Sequence, residues 1–237
     1  MSVHPDVLIF SKDRACQLDL LLRSISRHAP ELYRTVSVLY DWTEPCYAAG
    51  YQQCLSDHAP VGVRFVPEIA FQEQTLTWLA RREGAVSFLC DDDVFYRYLE
   101  PVGELPWSLR GGDYDYPFSL DGNIYERSDV DGLLDGLPFT NPTTLEAVGH
   151  EHRFRLPFDR LQHGAPCLTG IPWNRVSVDS RMPHLSSDDS CTGVHQFDLN
   201  ERYLEGFRLP VPTLDEDLPA HTVNPIVLSP PTLLRSL

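Results

Sequence analysis

Lysine is nearly absent from this chain. Of its nineteen basic residues only Lys12 is a lysine, and they stand against thirty-four acids, for a formal net charge of −15 over 237 residues. No stripe of basic side chains runs through the sequence. Proteins that hold long nucleic acid need such stripes to replace the counterions on phosphate, so the composition argues against DNA or RNA as a partner. An anionic membrane surface is disfavoured on the same ground. No run of ~18 apolar residues is present to span a bilayer. The opening MSVHPDV lacks the charged and then apolar stretches of an export signal. The six cysteines, at 16, 46, 54, 90, 167 and 191, include no C-x-x-C pair, which speaks against a zinc ribbon or a redox motif. The expected setting is therefore the cytoplasm, with the thiols reduced. H-E-x-x-H, G-x-S-x-G, G-x-x-x-x-G-K-[ST] and G-x-G-x-x-G are missing as well. That argues against zincins, α/β-hydrolases, P-loop NTPases and dinucleotide-binding folds.

What is present is a hydrophobic content of 42%, enough for a sizeable core in one domain spanning 1–237. A short apolar run at Val7 to Phe10 reads as a buried parallel strand, and Thr35 to Tyr40, Val63 to Val66 and Ala85 to Cys90 read as the next three strands. Between them lie helical patterns. Leu18, Leu21, Leu22 and Ile25 repeat at i, i+3, i+4, i+7, with Asp13 or Ser11 as the expected cap. Tyr47 to Ser56 and Glu73 to Arg82 are the next two helices, the latter ended by Gly84. This β-α-β-α-β-α-β order predicts an α/β fold: an open, mostly parallel sheet with right-handed crossovers and helices on both faces. In such sheets ligands bind beyond the carboxyl ends of the strands. Three polar clusters fall there: Ser11-Lys12-Asp13-Arg14, Asp41 and Asp91-Asp92-Asp93.

The second half is irregular and rich in proline, glycine and aromatics. A strand is expected within Ser119 to Tyr125. Helices are expected at Asp129 to Leu134, at Thr143 to Val148 with Pro142 in the first turn, and at Asn200 to Gly206. The proline-rich tail is expected to run extended over the surface.

Three successive aspartates after a buried strand repel one another and raise some of their pKa values unless a cation intervenes. A hard divalent ion with oxygen ligands resolves the repulsion, and one or two carboxylates plus ligand phosphates make such a site. In an extended segment Asp91 and Asp93 point to one side and Asp92 to the other.

Val7 to Arg14, Gln17 to Ile25 and Phe88 to Asp93 together resemble the nucleotide-binding half of GT-A glycosyltransferases, near the family-2-like bacterial group. The resemblance covers residues 5 to 100. It implies a nucleotide-sugar-binding half at 1–100 and an acceptor-side half at 101–237. Phe10, Ser11, Lys12 and Arg14 would face the nucleotide, with Lys12 or Arg14 touching the diphosphate. Asp41 would lie near the base or ribose. Asp91 and Asp92 would belong to the donor site, and Asp91 and Asp93 would hold Mn2+ or Mg2+, with Asp93 the surer ligand. The donor would be a UDP- or GDP-sugar. The acceptor would be a glycan, a lipid-linked molecule or a small molecule.

Segments around Ser119 to Tyr125, Asn141 to Glu146 and Leu199 to Phe207 are also similar to bacterial relatives of this group. Inverting transfer needs a base for the acceptor hydroxyl. Asp113, Asp115, Asp121, Glu146, Asp188 and Asp189 are available, and Asp121 and Glu146 are preferred because they lie inside those segments. His184, His195 and His221 are candidates for a late metal ligand. The aromatics from Trp107 to Tyr116 and Trp173 are candidates for stacking on an acceptor. Two other readings stand beside this one. The first is an inactive module of the same fold that binds sugar or nucleotide. The second is a nucleotidyltransferase, against which counts the lack of glycine in Ser11 to Arg14.

Overall fold

In the computed structural model, β1 (Asp6–Lys12) is buried along six of its seven residues. A strand buried on both faces has no polar face to show, which is why its sequence is a continuous apolar run. The structure describes residues 4–98, 117–157, 167–171 and 195–214, with three further two-residue strands. After β1 come α1 (Ala15–His28), β2 (Thr35–Asp41), α2 (Pro45–His58), β3 (Arg64–Pro67), α3 (Phe71–Ala80), β4 (Ala85–Cys90) and β5 (Asp93–Phe95). The later elements are β6 (Leu105–Pro106), β7 (Ile124–Glu126), α4 (Arg127–Leu134), α5 (Pro142–Glu151), β8 (Gln162–His163), β9 (Leu168–Gly170), α6 (Gln196–Leu204), β10 (Phe207–Arg208) and β11 (Leu234–Arg235).

The five-stranded sheet has the order β3-β2-β1-β4-β7. Its first four strands are parallel, and β7 closes the far edge antiparallel to β4. The fold is thus α/β with a mostly parallel central sheet. Side chains alternate across it with period two. Val7, Ile9, Val38, Tyr40 and Leu89 join one core beneath α1, α2 and α6. Leu8, Phe10, Leu39, Val86 and Phe88 join a second core with residues of α3, α4 and α5.

Details of the helices differ from expectation. Leu18, Leu21, Leu22 and Ile25 are all buried, but neither Ser11 nor Asp13 caps α1. The N-cap is Arg14, without a side-chain bond, because the Asp13 carboxylate is committed to Thr43 instead. The last turn of α3 ends at Ala80, and Gly84, at φ +75°, lies beyond a further turn that leads into β4. The strand expected from Ser119 shrinks to β7, because the chain before it is a turn through Gly122 at φ +82°. α5 opens with a reciprocal cap between Asn141 and Thr144.

Beyond β10 the chain straps α1. The Arg23 guanidinium donates to the Leu209 carbonyl (2.7 Å), and the Leu214 amide donates to the Tyr96 carbonyl (3.0 Å). Pro219, Pro225, Pro230 and Pro231 lie outside the described residues. Among the described residues no helix is long and apolar enough to cross a membrane. Five cysteines (Cys16, Cys46, Cys54, Cys90 and Cys167) are free thiols, and Cys191 lies outside the described residues.

Candidate functional site

The strand order reverses direction at β1, whose neighbours are β2 on one side and β4 on the other. A crevice opens beyond the carboxyl ends of the strands at such a point. Ser11 to Arg14 follow β1 there, Asp41 ends β2, and Asp91 to Asp93 follow β4.

Arg14 spans the crevice. Its guanidinium pairs with Asp91 at 2.6 Å and with Asp92 at 3.2 Å. Burial works against the Arg14 charge, but Asp91 and Asp92 more than offset it and raise its pKa. The other oxygen of Asp91 accepts the Lys12 amide at 3.1 Å. Lys12 itself pairs with Asp41 at 3.0 Å, and its ammonium remains partly open to solvent.

The loop that carries Arg14 is held from both sides. Asp13, at φ 57°, sits in the left-handed region that disfavours residues other than glycine. Its carboxylate accepts the Thr43 amide (2.7 Å) and the Thr43 hydroxyl (2.8 Å), which fixes that conformation. The Tyr51 hydroxyl shares a hydrogen bond with Ser11 Oγ (2.7 Å) and accepts the Arg14 amide (3.3 Å). Asp13, Thr43 and Tyr51 did not stand out as site residues in the sequence. Thr43 and Tyr51 lie outside the strand ends that drew attention, and Asp13 reads as a cap. Phe10, expected to face the nucleotide, points the other way. Its ring packs on Phe71 and Phe88 in the second core, and only its backbone borders the crevice.

The three aspartates do not alternate as a strand would place them. The chain turns at Asp91 and Asp92 and then leaves the main sheet as β5 to pair with β9. As a result Asp91 and Asp92 share Arg14, while Asp93 folds back to accept the Cys90 amide at 2.8 Å. Asp121 and Glu146 come to the same place. Asp121 sits in the turn before β7, whose Gly122 amide donates to the Phe88 carbonyl of β4 (2.9 Å). Glu146, on α5, accepts the Leu120 amide at 3.2 Å.

The electrostatics show how closely these acids are set. Burial raises the Cys90 thiol well above its usual range, and the charges of Asp92, Asp93, Asp121 and Glu146 raise it further. Burial first, then Asp121 and Asp92, push Asp93 well up. Burial and Asp121 push Glu146 to about 8, against the Leu120 amide, which pulls it down. Asp91 rises to about 7, chiefly by burial and despite Arg14. At neutral pH this group of carboxyls cannot all be ionised. It keeps protons or takes up a cation. A carboxyl near 8 is suited to accept or donate a proton under ordinary conditions.

Among the described residues no group of three or more His, Cys, Asp or Glu side chains is arranged to enclose a metal ion by itself. The donor set nonetheless suits a hard cation that takes one or two carboxylates from protein and its remaining ligands from phosphate. Asp93 fits best, since Arg14 already neutralises Asp91 and Asp92. His195 caps α6, its ring Nδ1 accepting the Phe197 amide at 3.1 Å. Asp113, Asp115, Asp188, Asp189, His184, His221, Trp173 and the aromatics from Trp107 to Tyr116 lie outside the described residues. No protein-family model matches this chain, and no curated protein matches it.

Proposed function

We propose that this chain is a metal-dependent glycosyltransferase of the GT-A type, which moves a sugar from a UDP- or GDP-sugar to an acceptor hydroxyl. One observation carries the reading. Acids from three separate segments, Asp91 to Asp93, Asp121 and Glu146, meet at the carboxyl end of β4, beside Arg14 and across from Lys12 and Asp41. A nucleoside diphosphate needs positive charge at its phosphates and polar groups for its ribose and base. Sugar transfer needs a proton acceptor as well.

In this reading Asp93 holds Mn2+ or Mg2+, and Asp91 joins it once Arg14 has turned from Asp91 to the phosphates. The cation, when bound, offsets charge on the departing diphosphate. Lys12 and Arg14 contribute ammonium and guanidinium contacts, respectively, to the phosphates. Ser11, Asp41 and Asp92 line the nucleoside side. Glu146 or Asp121 takes the proton of the acceptor hydroxyl as its oxygen bonds to the anomeric carbon and the bond to the diphosphate breaks. The Leu120 amide orients Glu146 for that role. The acceptor is a glycan, a lipid-linked molecule or a small molecule, and the half beyond residue 100 is its expected binding region.

A second reading has one feature in its favour. Arg14 already satisfies Asp91 and Asp92, as it would in a module that binds sugar or nucleotide without transferring. A thermal-shift series with UDP, GDP and other nucleoside diphosphates, with and without Mn2+, tests the donor site. The transferase reading expects stabilisation by one nucleotide, only with metal, and its loss in Asp93→Ala. A metal-linked shift that survives in folded Asp93→Ala overturns the site assignment. No shift with any nucleotide, in well-folded protein, overturns the transferase reading.

A further inference from the structure

α3 must carry the chain from β3, at one edge of the sheet, back over β2 and β1 to β4. Ten residues of helix extend only ~15 Å. The helix seals the carboxyl half of this face, where Phe71 packs on Phe10 with ring centroids 5.1 Å apart. Nearer the amino ends of the strands the cover is incomplete, and a cleft of about 270 Å³ remains between sheet and helix. Its floor is set by strand register. Leu8, Ser37 and Arg64 form one row across β1, β2 and β3, and Leu39 and Val66 lie in the next. Its wall is Trp78 with Arg81 and Arg82, where the chain leaves α3.

Two features of this cleft point to a ligand. The first is charge. Three guanidinium groups, from Arg64, Arg81 and Arg82, border it against one carboxylate, Glu73, in a chain whose net charge is −15. Arg82 lies over the Trp78 ring at 4.8 Å and 3.8 Å from Asp6. Arg64 and Arg81 are exposed and have no ion-pair partner among the described residues. The second is an aromatic wall: the Trp78 side chain lines the cleft beside the apolar Leu8, Leu39 and Val66.

The size is informative too. An apolar cavity of ~150 Å³ accommodates benzene, so this cleft has room for an aromatic ring and a head group. We propose that it is a binding site for a small aromatic carboxylate. The ring lies on the apolar floor of Leu8, Leu39 and Val66. The carboxylate is held by Arg64 and Arg81, and the ring edge lies against Trp78. The site is separate from the acidic crevice. Arg81 and Arg82 precede the start of β4 and Asp91 follows its end, with the six residues of that strand between them, or ~20 Å.

The test is calorimetric titration of the full chain with 2-naphthoate and with the uncharged 2-naphthalenemethanol, followed by nitrogen–proton spectra of the indoles. Naphthoate is expected to bind about tenfold or more tightly than the alcohol, since a charged hydrogen bond is lost in the alcohol. The Arg64→Gln/Arg81→Gln variant changes two exposed side chains and is expected to keep its melting temperature while losing about tenfold in affinity. The indole resonance that vanishes in Trp78→Phe is expected to move on naphthoate addition. Asp93→Ala is expected to bind naphthoate unchanged. Equal binding of acid and alcohol, undiminished binding by the double arginine variant, or no binding to the wild type overturns the proposal.

Discussion

Arg14 is the residue on which the crevice turns. Its side chain is 12% exposed, and that of Asp91 is fully covered. A buried carboxylate without its partner is strongly unfavourable, so Arg14→Met is expected to lower stability by about 3–5 kcal/mol at pH 8. The loss should be smaller at pH 6, because Asp91 then escapes by taking a proton. Adding Asp91→Asn should recover most of it. Urea unfolding of the single and double variants at the two pH values checks this, and a loss that the second substitution does not recover would mean Arg14 acts mainly through packing. The sequence marked Arg14 as a contact for phosphate. It did not show that the same guanidinium would hold the acids of the motif, because pairing between residues 14 and 91 is a property of strand order and not of spacing.

At the level of elements, the turn that brings Asp121 to β4 depends on a glycine in a helix. Gly149 of α5 is buried, and a Cβ there would lie 2.2 Å from Phe118 Cδ1. In an open helix Gly→Ala adds up to ~1 kcal/mol of stability. Here the expected sign is opposite, since Phe118 is fully buried and has nowhere to move. Overpacking of this kind costs about 1–3 kcal/mol, and thermal unfolding of Gly149→Ala measures it. If Gly149→Ala is stabilised instead, Phe118 has room that the packing does not show.

β1, β2 and β4 were legible because a strand buried in the sheet needs an apolar run, as in Val7 to Phe10 and Ala85 to Cys90, and the half-exposed edge strand β3 showed as a short segment stopped by Pro67. β5 and β9 were not, because three residues carry no periodicity and their pairing depends on where the turn at Asp91 sends the chain. The boundaries of α2 and α3 moved by two residues for a local reason: Pro45 and Phe71 begin helices without an apolar repeat to announce them. The choice of Asp121 and Glu146 rested on likeness of segments. Their approach to Cys90 required β7 to fold back on β4, which no local pattern specifies.

For the whole molecule, buried acids of two kinds set opposite limits on pH. Asp6 and Asp19 are buried, which by itself would raise their pKa values. Hydrogen bonds from Arg34 and Thr35 to Asp6, and from His58 and Arg23 to Asp19, outweigh this and lower them. Their contribution is present above the ordinary carboxyl range near ~4 and is lost as pH falls through the lowered values. Glu146, raised to about 8, does the reverse. It favours the fold while protonated and withdraws that support as pH climbs from ~4.5 towards 8. Metal-free protein is therefore expected to be most stable in mild acid. Glu146→Gln should reduce the alkaline decline, with Asp91 and Asp93 supplying the remainder, and leave the acid limb untouched. Melting temperatures from pH 3 to 9 decide this, and an unchanged alkaline limb in the variant would refute the role given to Glu146.

The sheet order also sets a timetable for synthesis. β1, made first, ends in the middle of the sheet, and its two neighbours are made at different times. β4 leaves the ribosome with one edge paired to β1 and the other bare until β7 follows. Roughly thirty residues separate Cys90 from Ile124, and at ~5–20 residues per second that is an interval of a few seconds. For that time an apolar strand edge and the acids at its end stand open. The nascent chain must pass through this window before Gly122 and Glu146 arrive to cover the site, so a ribosome slowed between these residues would lengthen the exposure of β4 to other unpaired strands.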